Sequence, residues 1–337
     1  MNALPAVTVL MPVFNAESFL PEAIESILKQ TFSDFELLMI NDCSTDRSVE
    51  IINSYKDSRI RLVSNEKNIK LIATLNKGLE IARGKYIARM DADDISHRER
   101  IEKQVRFMES HPDVGLCSCW FETFGNGNKI VNYPEHNDDI RIMLLYQSPF
   151  CHASVVYRTE VLRKIDFRYS TDFIHAEDLE AWVTLAGVTR IANVPEVLYR
   201  VRMHHSSVSS VHSNIQQENT LKALRIQFEK IGLNVSDSEI SLFREIAYSN
   251  FNAERKYIEQ AERLLSALAD ANKKSGYLPQ KALNRFVFEK WFHLCFNATS
   301  LGRWVYRCFH QSSLSGLGKV TFAQQVKFAL KANLNLR

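Results

Sequence analysis

The strongest constraint on the fold is an alternation running from residue 7 to residue 110. Short, almost continuous apolar runs alternate with stretches whose apolar residues recur at helical spacing. Val7–Met11, Phe35–Ile40, Arg61-Leu62-Val63 and Tyr86–Met90 read as strands. Glu17–Thr31 carries Phe19/Leu20, Ala23/Ile24 and Ile27/Leu28 at four-residue steps, and Ser44-Thr45-Asp46 offers caps to a short helix holding Val49, Ile51 and Ile52. Leu71, Leu75, Leu79 and Ala82 mark a third helix ended by Gly84, and Ile101, Val105 and Met108 a fourth over Arg98–Ser110. Strands that are apolar on both faces must be covered on both. The pattern therefore predicts an α/β fold with a mostly parallel sheet flanked by helices.

Such sheets bind ligands beyond the carboxyl ends of their strands. There the first strand runs into Pro12-Val13-Phe14-Asn15, the second into Asn41-Asp42 and the fourth into Asp91-Ala92-Asp93-Asp94. Three carboxylates in four residues repel one another and call for a cation or for donors. Asp91 and Asp93 are spaced to face one ion from a turn, and hard oxygen ligands suit Mg²⁺ or Mn²⁺. Taken alone, such a turn is more often a solvated loop, and Asp94 and Asp46 read as helix caps. No G-x-G-x-x-G follows any strand and no P-loop occurs, so a bound nucleotide would rely on carboxylates and metal rather than on a glycine-rich cradle.

The second half is mixed. Val114–Phe121 reads as a strand, Asp138–Leu145 as a helix, Ala176–Ala186 as a helix with Glu177 and Asp178 near its start, and Val194–Val201 as a strand leading to His204-His205. Acids at a helix start also complement its dipole, and a lone histidine pair is most often a surface feature. His152 reads as a packed residue. Residues 214–270 are charged and helix-periodic, and Ser275–Pro279 looks like a joint. These shifts divide the chain into an α/β domain over 1–212 and a helical extension over 213–337.

The net charge of +3 is unevenly spread. Lys281–Arg337 holds nine Lys or Arg against Glu289 alone, giving +8 and leaving −5 for residues 1–280. Phe286, Phe288, Trp291, Phe292, Phe296, Trp304, Tyr306 and Phe309 interleave with these cations. The tail at 281–337 therefore reads either as a face for an anionic membrane surface or as a helical subdomain with an aromatic core. No nucleic-acid module is present, so nucleic acid is not an expected partner. The six cysteines form no disulfide framework, Cys117 and Cys119 falling on one strand face as small apolar residues. No run approaches the roughly 20 apolar residues of a membrane span. The expected location is the cytoplasm, with peripheral contact at the inner face of the cytoplasmic membrane through the tail.

The order of motifs then becomes informative. Val9–Asn15, Asp42-Cys43-Ser44-Thr45-Asp46, Ala82–Asp94, Pro149–Ser154, Ala176–Trp182 and Pro195–Arg200 together resemble family 2 glycosyltransferases of the GT-A, Rossmann-like fold, over roughly residues 6–210. The resemblance implies an inverting, non-processive, metal-dependent glycosyltransferase that uses Mn²⁺ or Mg²⁺. It would move one sugar from a UDP-linked donor to a surface-glycan or lipid-linked acceptor such as lipopolysaccharide or capsule. Pro12, Val13 and Phe14 would wall the base and ribose, and Asp42 would accept from the base. Lys70 would meet the diphosphate, Asp91 the ribose or phosphates, and Ala92 would line the same donor site. Asp93 would ligate the metal, joined by His204 from Arg202-Met203-His204. Asp178 would be the general base, with Glu177 its competitor. Asn41 and Cys43 depart from the family pattern, which commonly has Asp and Gly there, and the processive Q-x-x-R-W motif is absent. GDP- or dTDP-sugar is the alternative donor, and a non-catalytic nucleotide-sugar-binding or scaffold protein is the rival reading.

Overall fold

The computed structural model describes residues 4–203 and 213–334. The strands are β1 Val7–Val13, β2 Phe35–Asn41, β3 Ile60–Ser64, β4 Tyr86–Arg89, β5 Ile95–Ser96, β6 Val114–Gly125, β7 Lys129–Val131, β8 Val156–Arg158 and β9 Arg190–Met203. They form one nine-stranded sheet in the order β3-β2-β1-β4-β8-β6-β9-β5, with β7 on β6. β1, β2, β3 and β4 pair in parallel. β8 is antiparallel to both β4 and β6, so β6 runs with β4, as does β9, which is parallel to β6. Only β5, β7 and β8 run the other way. The expected α/β fold with a mostly parallel sheet is thus the one found.

The helices of this half are α1 Leu20–Leu28, α2 Ser48–Ser54, α3 Lys70–Ile81, α4 Arg100–Ser110, α5 Asn137–Met143, α6 Thr159–Lys164 and α7 Glu177–Leu185. β1 and β2 are buried along almost their whole length because they lie inside the parallel half and are covered on both faces. Helix α3 buries Ile72, Leu75, Gly78 and Leu79, whereas Leu71, expected on the inner face, is 37% exposed. The buried residues 72, 75 and 79 follow the three-and-four spacing of one helical stripe, and 71 falls beside it. Gly84 is required by crowding: a Cβ there would meet the backbone nitrogen of Thr8 at 2.4 Å.

The register of β1 explains a proline inside a central strand. Val7 N bonds Asp34 O and Asp42 N bonds Val13 O, so the odd residues of β1 face β2. Leu10 O accepts from Met90 N, so the even residues face β4. β4 pairs with β1 only as far as Leu10, and the N–H that Pro12 lacks would have pointed where β4 has already ended. The chain steps from β1 outward to β2 and β3 and then returns to the other side of β1 for β4. The β1/β4 boundary is therefore the topological switch point of the parallel half.

The chain divides into two compact units, residues 1–140 with 148–220, and residues 141–147 with 221–337. Helix α8 Ser213–Ile231 belongs to both. The second unit is helical, with α9 Asp237–Ala247, α10 Arg255–Ser275, α11 Gln280–Asn297, α12 Arg303–Gln311 and α13 Phe322–Asn333. The Ser275–Pro279 joint is a helix end. Gly276 takes the left-handed conformation at φ 64°, and the buried Asn272 side chain bonds both the N–H and the C=O of Leu278. Trp291, Phe288, Phe292 and Phe309 are buried inside this unit, so these tail aromatics are core. Among the described residues no helix is long and apolar enough to cross a membrane.

Candidate functional site

At the switch point the end of β1 presents Val13, buried, and Phe14, half exposed. Asn15 follows at φ 49° and ties this loop to the one after β2: its Oδ1 accepts from Thr45 N at 2.8 Å, and its own N–H donates to Ser44 Oγ. Asn41, where the family pattern commonly has aspartate, accepts from Ser44 N at 3.0 Å and holds the second loop from its other side. Asp46, expected as a helix cap, stands one residue before the cap position Arg47, where it accepts from Ser48 N, the first residue of α2, and from Glu17 N.

Asp42 is buried and already has three donors. Oδ1 accepts from Asn65 Nδ2 at 2.9 Å and Ile69 N at 2.8 Å, and Oδ2 from Lys70 N at 2.9 Å. A carboxylate offers about four lone-pair sites, so one remains, on Oδ2. The same bonds make Asp42 the cap of α3, whose first residue, Lys70, is exposed and sits at φ 70°. Lys77 reaches the arrangement through Asn65 Oδ1 at 2.7 Å.

The acidic turn lies directly past β4. Asp91, Asp93 and Asp94 each bring a carboxylate oxygen within 4.8 Å of the others. Arg89 grips Asp91 through two bonds, Nη2 to Oδ1 at 2.7 Å and Nη1 to Oδ2 at 2.9 Å. Asp94, expected to cap a helix, instead leads into β5 and accepts from Arg202 N at 2.8 Å. It stands just before β5, its side chain reaching β9, and the next helix begins only at Arg100. Arg202 also donates from Nε to Asp93 O at 2.8 Å, pairs with Glu22 and stacks on Phe19 and Phe124, which staples the turn to the end of β9. Tyr199 Oη accepts from Asp91 N, and the fully buried Arg100 lies over the Tyr199 ring while donating to Arg89 O at 2.7 Å.

Burial raises the pKa of Asp94 well above the ordinary range, and the neighbouring Asp91 and Asp93 add to the rise. Asp91 is raised too, by burial first and by Asp93, with Arg89 pulling the other way. Three like charges this close cannot all ionise comfortably without a cation. The oxygen-only donor set fits a hard divalent ion. The structure thus gathers Asp91 and Asp94 with the expected ligand Asp93, while His204 lies outside the described residues.

The candidate base sits on α7, in the same unit. Asp178, its second residue, has Ser148 Oγ 3.4 Å from Oδ2. That hydroxyl also lies 3.2 Å from Phe150 O and accepts from Trp182 Nε1 at 3.1 Å. Its single proton is shared between the Phe150 carbonyl and Asp178, whose carboxyl is also held by Leu179 N. Burial raises Asp178, against the pull of Leu179 N. Glu177 is pushed up to about 7, by burial and then by Asp178. His152 is packed as expected, its Nε2 2.9 Å from Tyr169 Oη, with burial holding its pKa well below the usual range. The charge of Arg89 acts on Asp91, Glu177, Asp178 and His152 alike, so the acidic turn and the two acids at the start of α7 share one electrostatic environment.

Of the expected residues, the switch point carries Pro12, Val13, Phe14, Asp91, Ala92 and Asp93, and Asp42 and Lys70 stand together at the next strand end. Sequence reasoning missed Arg89, although a spacing of two along a strand puts it on the same face as Asp91. Ser148, Asn65 and Tyr199 carried no local signal, because their partners lie 30, 23 and 108 residues away.

With this geometry in hand, comparison with known proteins is direct. The model of glycosyl transferase family 2 matches residues 8–166. An uncharacterized glycosyltransferase of Haemophilus influenzae is 33% identical over 253 residues, covering 70% of this chain and 78% of its own. The Escherichia coli UDP-Glc:alpha-D-GlcNAc-diphosphoundecaprenol beta-1,3-glucosyltransferase WfaP is 30% identical over 66% of this chain and 87% of its own. Among solved structures, S. aureus TarS in complex with UDP-GlcNAc superposes with a TM-score of 0.58 at 16% identity, over 97% of this chain and 90% of that one. The mannosyltransferase PcManGT from Pyrobaculum calidifontis, in complex with GDP-Man and Mn²⁺, gives 0.52 at 17% identity, over 99% and 88%. Sequence and fold agree: the chain belongs to glycosyl transferase family 2 and is a glycosyltransferase.

Proposed function

We propose that this glycosyltransferase moves one sugar, with inversion, from a UDP-linked donor to a lipid-linked glycan acceptor in surface-polysaccharide assembly. The observation that carries the reading is that one unit holds both a three-carboxylate turn and the Glu177-Asp178 carboxylates at the start of α7, both under the charge of Arg89. The E. coli relative's name supports the donor and acceptor classes, and the UDP-GlcNAc complex of a neighbour supports the nucleotide.

Each residue follows from its place. The exposed face of Phe14 stacks on the base, and the one open lone pair of Asp42 accepts from it. Lys70, exposed at the start of α3, meets the diphosphate. Asp93, with Asp91 and Asp94, would hold Mn²⁺ or Mg²⁺, which when bound supplies the charge that steadies the departing diphosphate. Asp178 takes the proton of the acceptor hydroxyl as it attacks; a single displacement turns an α-linked donor into a β-linkage. Glu177 is the competitor for that role, since its pKa of about 7 suits proton transfer near neutrality.

The test is a panel of UDP-, GDP- and dTDP-sugars with Mn²⁺, scored for donor hydrolysis and then for transfer to a lipid-linked sugar. Turnover with a UDP-sugar that a chelator abolishes supports the reading; selective use of a GDP-sugar, as the PcManGT complex would suggest, overturns the donor. Asp178→Asn should abolish transfer while UDP still binds. Unchanged turnover in that variant, with loss in Glu177→Gln, would move the base by one residue.

A further inference from the structure

Helix α13 has two faces that do not match. Phe328 and Ala332 are each 1% exposed and hold it to the helical unit. Phe322, Val326, Leu330 and Leu334, one every four residues and therefore in one row, are 81%, 41%, 56% and 63% exposed. The helix is well made in its own right, with a capping box between Thr321 and Gln324. It contains no acid, and Lys327 and Lys331 border the row along one side, their Nζ atoms 5.7 and 4.8 Å from the Phe296 ring. In the same unit, a cleft of about 850 Å³ lies between α11 and the segment leading into α13. Exposed Lys281, Arg285, His293 and Lys319 line it over a floor of Phe288 and Phe292, with Glu289 as its one acid.

We propose that the Phe322-Val326-Leu330-Leu334 row of α13 docks this unit on an anionic lipid bilayer, with the neighbouring basic cleft taking phosphate-bearing headgroups. An apolar row edged by lysines, on a helix without acids, is the chemistry that an anionic membrane surface recognises. A second copy of the chain is a poorer occupant. Face-to-face pairing would set the lysines of one copy against those of the other, in a segment carrying +8 on each side. The inference rests on the lipid-linked acceptor only as its motive; the assay below contains neither donor nor acceptor sugar, so the two readings can fail separately.

The test is flotation of the full chain with vesicles of phosphatidylcholine alone or with about one third phosphatidylglycerol. The protein should float with the anionic vesicles and be released by about 0.5 M salt. Phe322→Ser with Leu330→Ser should lower the floated fraction at least about tenfold, with the thermal midpoint unchanged because both side chains are exposed. Lys327→Gln with Lys331→Gln, which leaves the apolar row intact, should weaken flotation on anionic vesicles several-fold. Failure of the wild-type chain to float overturns the proposal, as does flotation of the serine variant at the wild-type level. A serine variant that changes the sedimentation coefficient but not flotation assigns the row to a second copy and overturns it equally.

Discussion

Arg89 shows how one buried side chain can organise a site without any motif pointing to it. Its guanidinium pairs with Asp91, and its charge reaches the carboxylates of α7. Arg89→Leu should destabilise the fold by about 1–3 kcal/mol in urea unfolding, less than for a fully buried pair because the Asp91 side chain stays 34% exposed. Added Mn²⁺ should restore part of the loss, because the stranded acids gain a cation. Glu177 gives a prediction in pH. Its ordinary value is 4.5 and its folded value about 7, so the fold favours its protonated form. Stability from this group is complete below about 4.5 and is lost as pH rises through 7. The difference is on the order of 3 kcal/mol at most. Thermal midpoints of Glu177→Gln measured between these limits should lose that slope. The acids themselves were legible in the sequence because carboxylates at a strand end are costly. The arginine was not, because it sits inside an apolar run and reads as part of a strand.

Single elements carry their own tests. Asp42 caps α3 with three bonds, so Asp42→Ala should lower stability by about 1–3 kcal/mol as well as weaken nucleotide binding, measured by denaturation and by calorimetry with UDP. Gly84→Ala should cost about 1–3 kcal/mol in urea unfolding, since the added carbon meets backbone rather than a side chain that could move aside. The parallel strands β1, β2 and β4 were legible from their unbroken apolar runs. β5, of two residues, and β8, of three, were not, because so short a segment becomes a strand only when distant partners such as β9 and β6 lie beside it. The same limit explains Leu71: periodicity identified α3, but its inward face is set by contact with the sheet, where Leu10 meets Gly78.

The whole chain folds as two units, and the division explains why its tail was ambiguous. Aromatic residues interleaved with cations suit both a lipid face and a packed bundle. Here Trp291 and Phe309 fill a core, while the exposed apolar residues come later, on α13. Removing everything after Gly276 would therefore take away α11 and its buried Trp291, and so report on folding rather than on membranes. Calorimetry of the whole chain tests the division itself. Saturating Mn²⁺ should raise the midpoint of the unit bearing the acidic turn by a few degrees, and Asp93→Asn should abolish that rise. The helical unit contains no such three-acid cluster among its described residues and should not respond.

The proline in β1 has a consequence for solvent. Where one strand outruns its neighbour the sheet opens into a wedge, and water ordinarily wets the free N–H groups along such an edge. At Pro12 there is no N–H to wet, and β4 has stopped before it. Pro12 therefore contributes no donor to the floor of that wedge. In the proposed nucleotide site, a flat ring beside Phe14 would meet no donor from Pro12. Pro12→Ala would wet that floor, and its effect on nucleotide binding should appear as a change in binding enthalpy at almost unchanged geometry.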